Sequence, residues 1–129
     1  MARRTVSSGS PYEAPIGFSR AVRIGDTIAV AGTGPIAEDG STAAPRDPYG
    51  QAKRCLDIIE AAIAEAGGGL QDVIRTRVYL TDASVWEEVG RAHGEVFGEI
   101  KPVCTFVEVS ALLREDWVVE IEADAVVSR

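Results

Sequence analysis

Apolar and polar positions alternate along four stretches of the chain and recur with a helical period along two, and their order outlines a fold. "FSRAVRIGDTIAVAG" predicts two short strands, Phe18 to Ile24 and Thr27 to Ala31, turning at Gly25 and Asp26. "GTGPIAEDGSTAAPRDP" is a long loop of chain breakers. At Asp47 a capping residue precedes Pro48 at the first helical position, and a helix runs through "YGQAKRCLDIIEAAIAEAG" to the glycines at 67–69. Its apolar stripe is Ala52, Leu56, Ile59 and Ile63, with Cys55 on the same side, which makes Cys55 a core residue. "VIRTRVYL" at 73–80 places Ile74, Thr76, Val78 and Leu80 on one side and Arg75, Arg77 and Tyr79 on the other. Ser84 and Glu87 form a capping box that opens a second helix, to about Phe97, with Trp86, Val89, His93 and Val96/Phe97 as its stripe. Two strands close the chain, Val103 to Val109 and Trp117 to Val127, joined around "REDW".

The order is β-β-α-β-α-β-β, with no internal repeat and no linker to split it. This predicts one α+β domain over 1–129, a mixed sheet with two helices on one face. Residues 1–13, rich in Ser, Gly and Pro, are expected to be a mobile or extended N-terminal segment. A chain of 129 residues is long enough to bury one real core.

Strand parity divides the sheet into two faces. Val119, Ile121, Ala123 and Ala125 fall under the helices, and the same reading places Val103, Thr105, Val107 and Val109 there. The opposite face then carries Glu120, Glu122 and Asp124, with Arg75, Arg77 and Tyr79, and with Cys104, Phe106 and Glu108. The plain reading of such a surface is a solvated antiparallel face. Aromatic and apolar residues dilute its charge, however, which favours a subunit interface where unlike charges pair. A carboxylate buried there, Glu120 above all, must find a donor or neutralise.

Charge and composition narrow the function. A net charge of −7 argues against nucleic acid and anionic membrane as partners. Two cysteines do not make a disulfide framework, "MARRTVSSGS" is followed by no apolar signal core, and no apolar run spans a membrane. A cytoplasmic protein is the resulting expectation. One histidine and two distant cysteines supply no metal site, and no cofactor motif is present; "GTGP" at 32–35 is too short for a phosphate loop. His93, on a helix stripe, reads as a satisfied helix–sheet histidine. Cys104 sits among acids with no histidine partner in this reading, so a poised thiolate is disfavoured and a small apolar pocket residue is preferred.

Four segments, "IGFSRAVRIGDTIAVAG", "AEAGGGLQDVIRTRVYLTD", "KPVCTFVEV" and "VVEIEADAV", together resemble the Rid proteins over about Ala14 to Val127. These are the reactive-intermediate (enamine/imine) deaminases, also called YjgF-like and formerly endoribonuclease L-PSP. The resemblance implies a chorismate-mutase-like fold and a homotrimer whose sheets face inward, with small-molecule pockets at the subunit interfaces. In the deaminases an arginine early in the fourth strand clamps the substrate carboxylate, a glutamate opening the "EIEA" motif positions water, and a tyrosine and a serine or threonine complete the pocket.

Carried onto this chain, the glutamate is Glu120, the catalytic candidate. The arginine becomes Cys104, followed by a matching Thr105 and by Phe106; the tyrosine becomes Phe18; and Ala31 precedes Gly32 in place of the hydroxyl residue. An asparagine often found on the second helix is Gly90. A charge-assisted clamp contributes about 1.5–3 kcal/mol, so its loss points away from 2-imino acids. Arg77, then Arg20 and Lys101, could replace it, although Arg77 could equally neutralise Glu120 or Glu122. The expectation is a hydrolase acting on a small imine or enamine without a carboxylate, or alternatively a non-catalytic ligand-binding or sensing homotrimer. The ribonuclease label conflicts with the negative charge and the single histidine.

Overall fold

A computed structural model describes residues 2–128. Its elements are β1 (Arg3–Val6), α1 (Glu13–Ile16), β2 (Ala21–Ile24), β3 (Thr27–Thr33), α2 (Pro48–Glu65), β4 (Val73–Leu80), α3 (Trp86–Phe97), β5 (Val103–Glu108) and β6 (Val119–Val126). One six-stranded sheet has the order β1-β2-β3-β6-β4-β5, with β4 and β5 parallel and every other pair antiparallel. The two long helices pack against each other and cover one face, as the periodicity predicts. Leu56, Ile59 and Ile63 of α2 meet Val78 of β4 and Val119 and Ile121 of β6 in a core that also takes Cys55. Burying each such side chain stabilises the fold by about 1.5–3 kcal/mol.

Helix limits follow local chemistry. Pro48 stands at the first position of α2 and Asp47 at its cap, although the Asp47 side chain makes no capping hydrogen bond. Gly67 takes φ 89°, and the Gly68 amide bonds back to the Ile63 carbonyl, closing α2 in the left-handed turn that glycine permits.

The opening residues, expected to be mobile or extended, include the extended strand β1, which lengthens the sheet through its pairing with β2. Three expectations are corrected. Ser84 is not the cap before α3; Asp82 accepts from the Ser84 amide at 2.9 Å and opens a short 3-10 turn over 83–85. A bulge between Val73 and Arg75 buries Val73 and leaves Ile74 exposed, so Ile74 does not share the core side.

The last correction matters most for function. In the parallel register Cys104 stands beside Thr76 and Phe106 beside Val78, both buried under the helices. Cys104 and Phe106 therefore face the helix side, with Phe106 packed on the core. Val103, Thr105 and Val107 lie instead beside Arg75, Arg77 and Tyr79 on the open face, where Val103 is 57% and Val107 40% exposed. The regular valines imitate a core face, but on an edge strand one side chain, Phe106, decides the parity.

Candidate functional site

Glu120 projects from β6 on the open side of the sheet, beside the bulge in β3. Between the pairs Val30–Ala123 and Thr33–Ile121, residues Ala31 and Gly32 together oppose one residue of β6. Gly32 leaves the Glu120 carboxylate its place, because a Cβ at this position would overlap it and push the side chain aside. Gly34 does the same for a second side chain: a Cβ there would run into the indole of Trp117, which is 2% exposed. The glycines of "GTG" thus hold no phosphate. They leave room for the acid and the indole that shape one cavity.

That cavity measures about 410 Å³ and is lined by Phe18, Arg20, Ala31, Gly32, Trp117 and Glu120, with Tyr12 at one wall. Burial pushes the Glu120 carboxyl upward, opposed by the field of Arg20 and aided by that of Glu122. Among the described residues the Glu120 carboxylate makes no hydrogen bond and no ion pair, so its oxygens remain available to a ligand or water.

Arg20 is 3% exposed and holds the loop and strand around it through Nε and Nη1. Its Nε donates to Ser8 Oγ at 3.1 Å, and Nη1 donates to the Gly32 carbonyl at 2.6 Å and to Thr33 Oγ1 at 3.0 Å. Its Cζ lies 5.3 Å from the Phe18 ring centroid, a cation–π contact. Burial lowers its pKa, and the fields of Glu13 and Glu120 partly restore it.

Arg77 does not reach this cavity. Its Nη1 lies 3.4 Å from both Glu122 Oε1 and Asp124 Oδ2, while Tyr79 donates to Glu122 at 2.6 Å. The Glu122 carboxylate beside it pushes the Tyr79 phenol up to about 12. Arg77 thus neutralises acids of the open face, the simpler of its two expected roles, although Glu122 and Asp124 rather than Glu120 are its partners.

Of the expected site residues, Phe18, Ala31, Gly32 and Glu120 meet in one cavity. Cys104 and Phe106 lie on the other side of the sheet, separated from β6 by β4, and Thr105 points from the open face of β5. One chain holds the two groups apart. His93 is as expected: its Nε2 lies 2.8 Å from Thr76 Oγ1, its ring packs on Phe97, and burial lowers its pKa. Burial pushes the Cys55 thiol up and leaves it inert. Among the described residues no cluster suits a metal ion.

A family model described as endoribonuclease L-PSP matches residues 10–127. The chain belongs to this family, the YjgF or Rid proteins. SCO2049 of Streptomyces coelicolor, itself uncharacterized, is 42% identical over 122 residues, which is 95% of this chain and 90% of that protein. A RutC family protein of Pyrococcus abyssi is 39% identical over 112 residues, 86% of this chain and 87% of its own. Rv2704 of Mycobacterium tuberculosis, a YjgF/YER057c/UK114 member, superposes with a TM-score of 0.89 at 48% identity, over 98% of this chain and all of that one. The chorismate-mutase-like fold expected from the family is the fold observed. None of the helices over the described residues is long and apolar enough to cross a membrane.

Sequence reasoning passed over Tyr12, Gly34, Leu113 and Trp117, all of which line the Glu120 cavity. Gly32 inside β3, with Gly34 just past its end, was the available signal: glycine inside a strand marks close approach by another group.

Proposed function

We propose that this Rid-family chain hydrolyses a small reactive imine or enamine that carries no carboxylate, with Glu120 positioning the attacking water. The observation that carries this reading is an unpaired, half-buried carboxylate in a cavity whose one lining arginine, Arg20, has Nε and Nη1 committed to Ser8, Gly32 and Thr33. Arg77 is held by Glu122 and Asp124. A protonated imine is drawn to Glu120, whereas a substrate carboxylate meets its repulsion and finds only Nη2 of Arg20 uncommitted, not the two nitrogens a bidentate clamp uses. Glu120 takes a proton from water as oxygen bonds to the iminium carbon. That proton passes to nitrogen, the C–N bond of the carbinolamine breaks, and ammonia and a carbonyl compound leave.

The homotrimer expected of the family gives the separated residues a common site: Cys104 and Phe106 of one copy complete the Glu120 cavity of the next. Cys104 then stands where the deaminases hold their arginine. The test compares ammonia release from 2-iminopropionate and from aldimines generated in place by a flavin amine oxidase. Turnover of the aldimines, lost in Glu120→Gln, is the expected result; identical rates for wild type and Glu120→Gln on every imine refute it. Cys104→Arg is expected to raise activity on 2-iminopropionate by about 10–100-fold.

Phe18 and Ala31, apolar where the deaminases carry hydroxyls, favour a second reading, a ligand-binding trimer without turnover. It predicts thermal stabilisation by amines that survives in Glu120→Gln, with no ammonia released.

A further inference from the structure

We infer that the ligand of the Glu120 cavity carries an aromatic or branched apolar substituent, recognised by a wall built from Tyr12 and Trp117. The inference rests on reading that cavity as the ligand site, and it names the class of ligand. Tyr12 meets Trp117 edge-on, with ring centroids 6.0 Å apart and planes at 76°. Both rings have their polar atoms engaged by residues outside the cavity. Trp117 Nε1 donates to Thr42 Oγ1 at 3.1 Å, and the Tyr12 hydroxyl accepts from Arg114 Nε at 3.0 Å. Arg114 Cζ also stands 5.6 Å from the Tyr12 centroid and 5.4 Å from that of Trp117. Thr42 in turn donates to Asp116 at 3.0 Å. The half-buried Tyr12 ring thus turns its carbon surface to the cavity, with the 2% exposed indole of Trp117 packed against it as backing.

Independent features agree. Gly34 removes the one Cβ that would displace the indole. Phe18 and Ala31 continue the apolar lining, and Ile16 and Leu113, each 61% exposed, stand at its rim. At about 410 Å³ the space falls within the roughly 300–1,000 Å³ of sites that enclose ligands much larger than a three-carbon imine. A small imine would leave this apolar surface wet and contribute nothing from it. The fitting ligand is amphipathic, with a cationic C=N head toward Glu120 and an aryl, arylalkyl or branched alkyl body against the wall. Reactions that supply it oxidise a primary amine, taking a hydride equivalent from the α carbon and a proton from nitrogen as C–N becomes C=N.

The test separates recognition from turnover. In a Trp86→Phe background, which leaves Trp117 as the sole tryptophan, fluorescence titrations use benzylamine, phenylethylamine, methylamine and phenylacetate as stable probes. The aromatic amines are expected to bind at least tenfold more tightly than methylamine and phenylacetate, and Tyr12→Ala to weaken them about tenfold. Leu113→Ser, at an exposed rim position that leaves folding undisturbed, is expected to weaken them severalfold and guards against a misfolded Tyr12 variant. Methylamine binding as tightly as benzylamine, or benzylamine affinity unchanged in both variants, overturns the inference. Selective binding of aromatic amines without turnover of their imines leaves the wall standing and removes the hydrolase; turnover confined to the smallest imines does the reverse.

Discussion

At Gly32 and Gly34 the missing side chains matter more than most that are present. Gly32→Ala pushes against the far end of a flexible glutamate, so its stability cost is expected to stay below about 1 kcal/mol while Glu120-dependent turnover falls tenfold or more. Gly34→Ala meets a buried ring that cannot swing away, and overpacking of this kind costs about 1–3 kcal/mol. Thermal melts set beside ammonia-release rates distinguish the two. Glu120 itself has a pH signature. Its carboxyl is raised by burial, so the folded state holds a proton that the unfolded chain has released. Its ionisation therefore costs stability as pH climbs above the ordinary carboxylate range. Glu120→Gln should melt higher than wild type at pH 7, with the difference gone near pH 4. As a general base Glu120 must be ionised, so the acid limb of the rate profile should lie above the usual carboxylate value.

Elements declared themselves in the sequence to the extent that one face was consistently apolar. α2 and β6 read correctly because their inward positions are apolar, Gln51 of α2 excepted, and charged residues stand on the opposite side. β4 read correctly only beyond its bulge, which no periodicity displays. β5 misled because valines fill the positions facing outward, and only its parallel register with β4 reveals the inversion. β1 was missed because four residues, three of them polar, carry no alternation to speak of. The candidate site divides in the same way. Glu120, Phe18, Ala31 and Gly32 were legible through family motifs, whereas Tyr12 and Trp117 are brought together from distant segments by tertiary packing alone. At this scale the charges joining β4 to β6 are testable. Arg77→Met leaves Glu122 and Asp124 without their shared guanidinium. In a solvated face the loss is about 1 kcal/mol or less, but in a covered one it should weaken assembly, visible as dissociation on dilution in sedimentation.

For the whole molecule, the open sheet face is the decisive surface. Acids balanced by Arg75 and Arg77, with Val103 and Val107 exposed beside them, form a surface that self-association could cover. The proposed trimer has three times the 13.7 kDa chain mass. Val107→Glu is the sharper test. In a lone chain a charge at this exposed position should shift stability by no more than about 0.5 kcal/mol. In a trimer it should abolish assembly, turnover by the composite site included. Size-exclusion chromatography and a thermal melt of the same sample give both answers.

The position of β5 at the margin of the sheet has a further cost for the cell. Along its outer side no strand among the described residues pairs with the backbone, and "VCTFVEV" is rich in β-branched residues with a single charge. Such a border is a template for adding foreign strands, the first step of fibril growth. Any condition that frees single chains, whether dilution, heat or Val107→Glu, should therefore shorten the lag before thioflavin-positive aggregates form. Keeping the assembly intact would then be a matter of solubility as much as of chemistry.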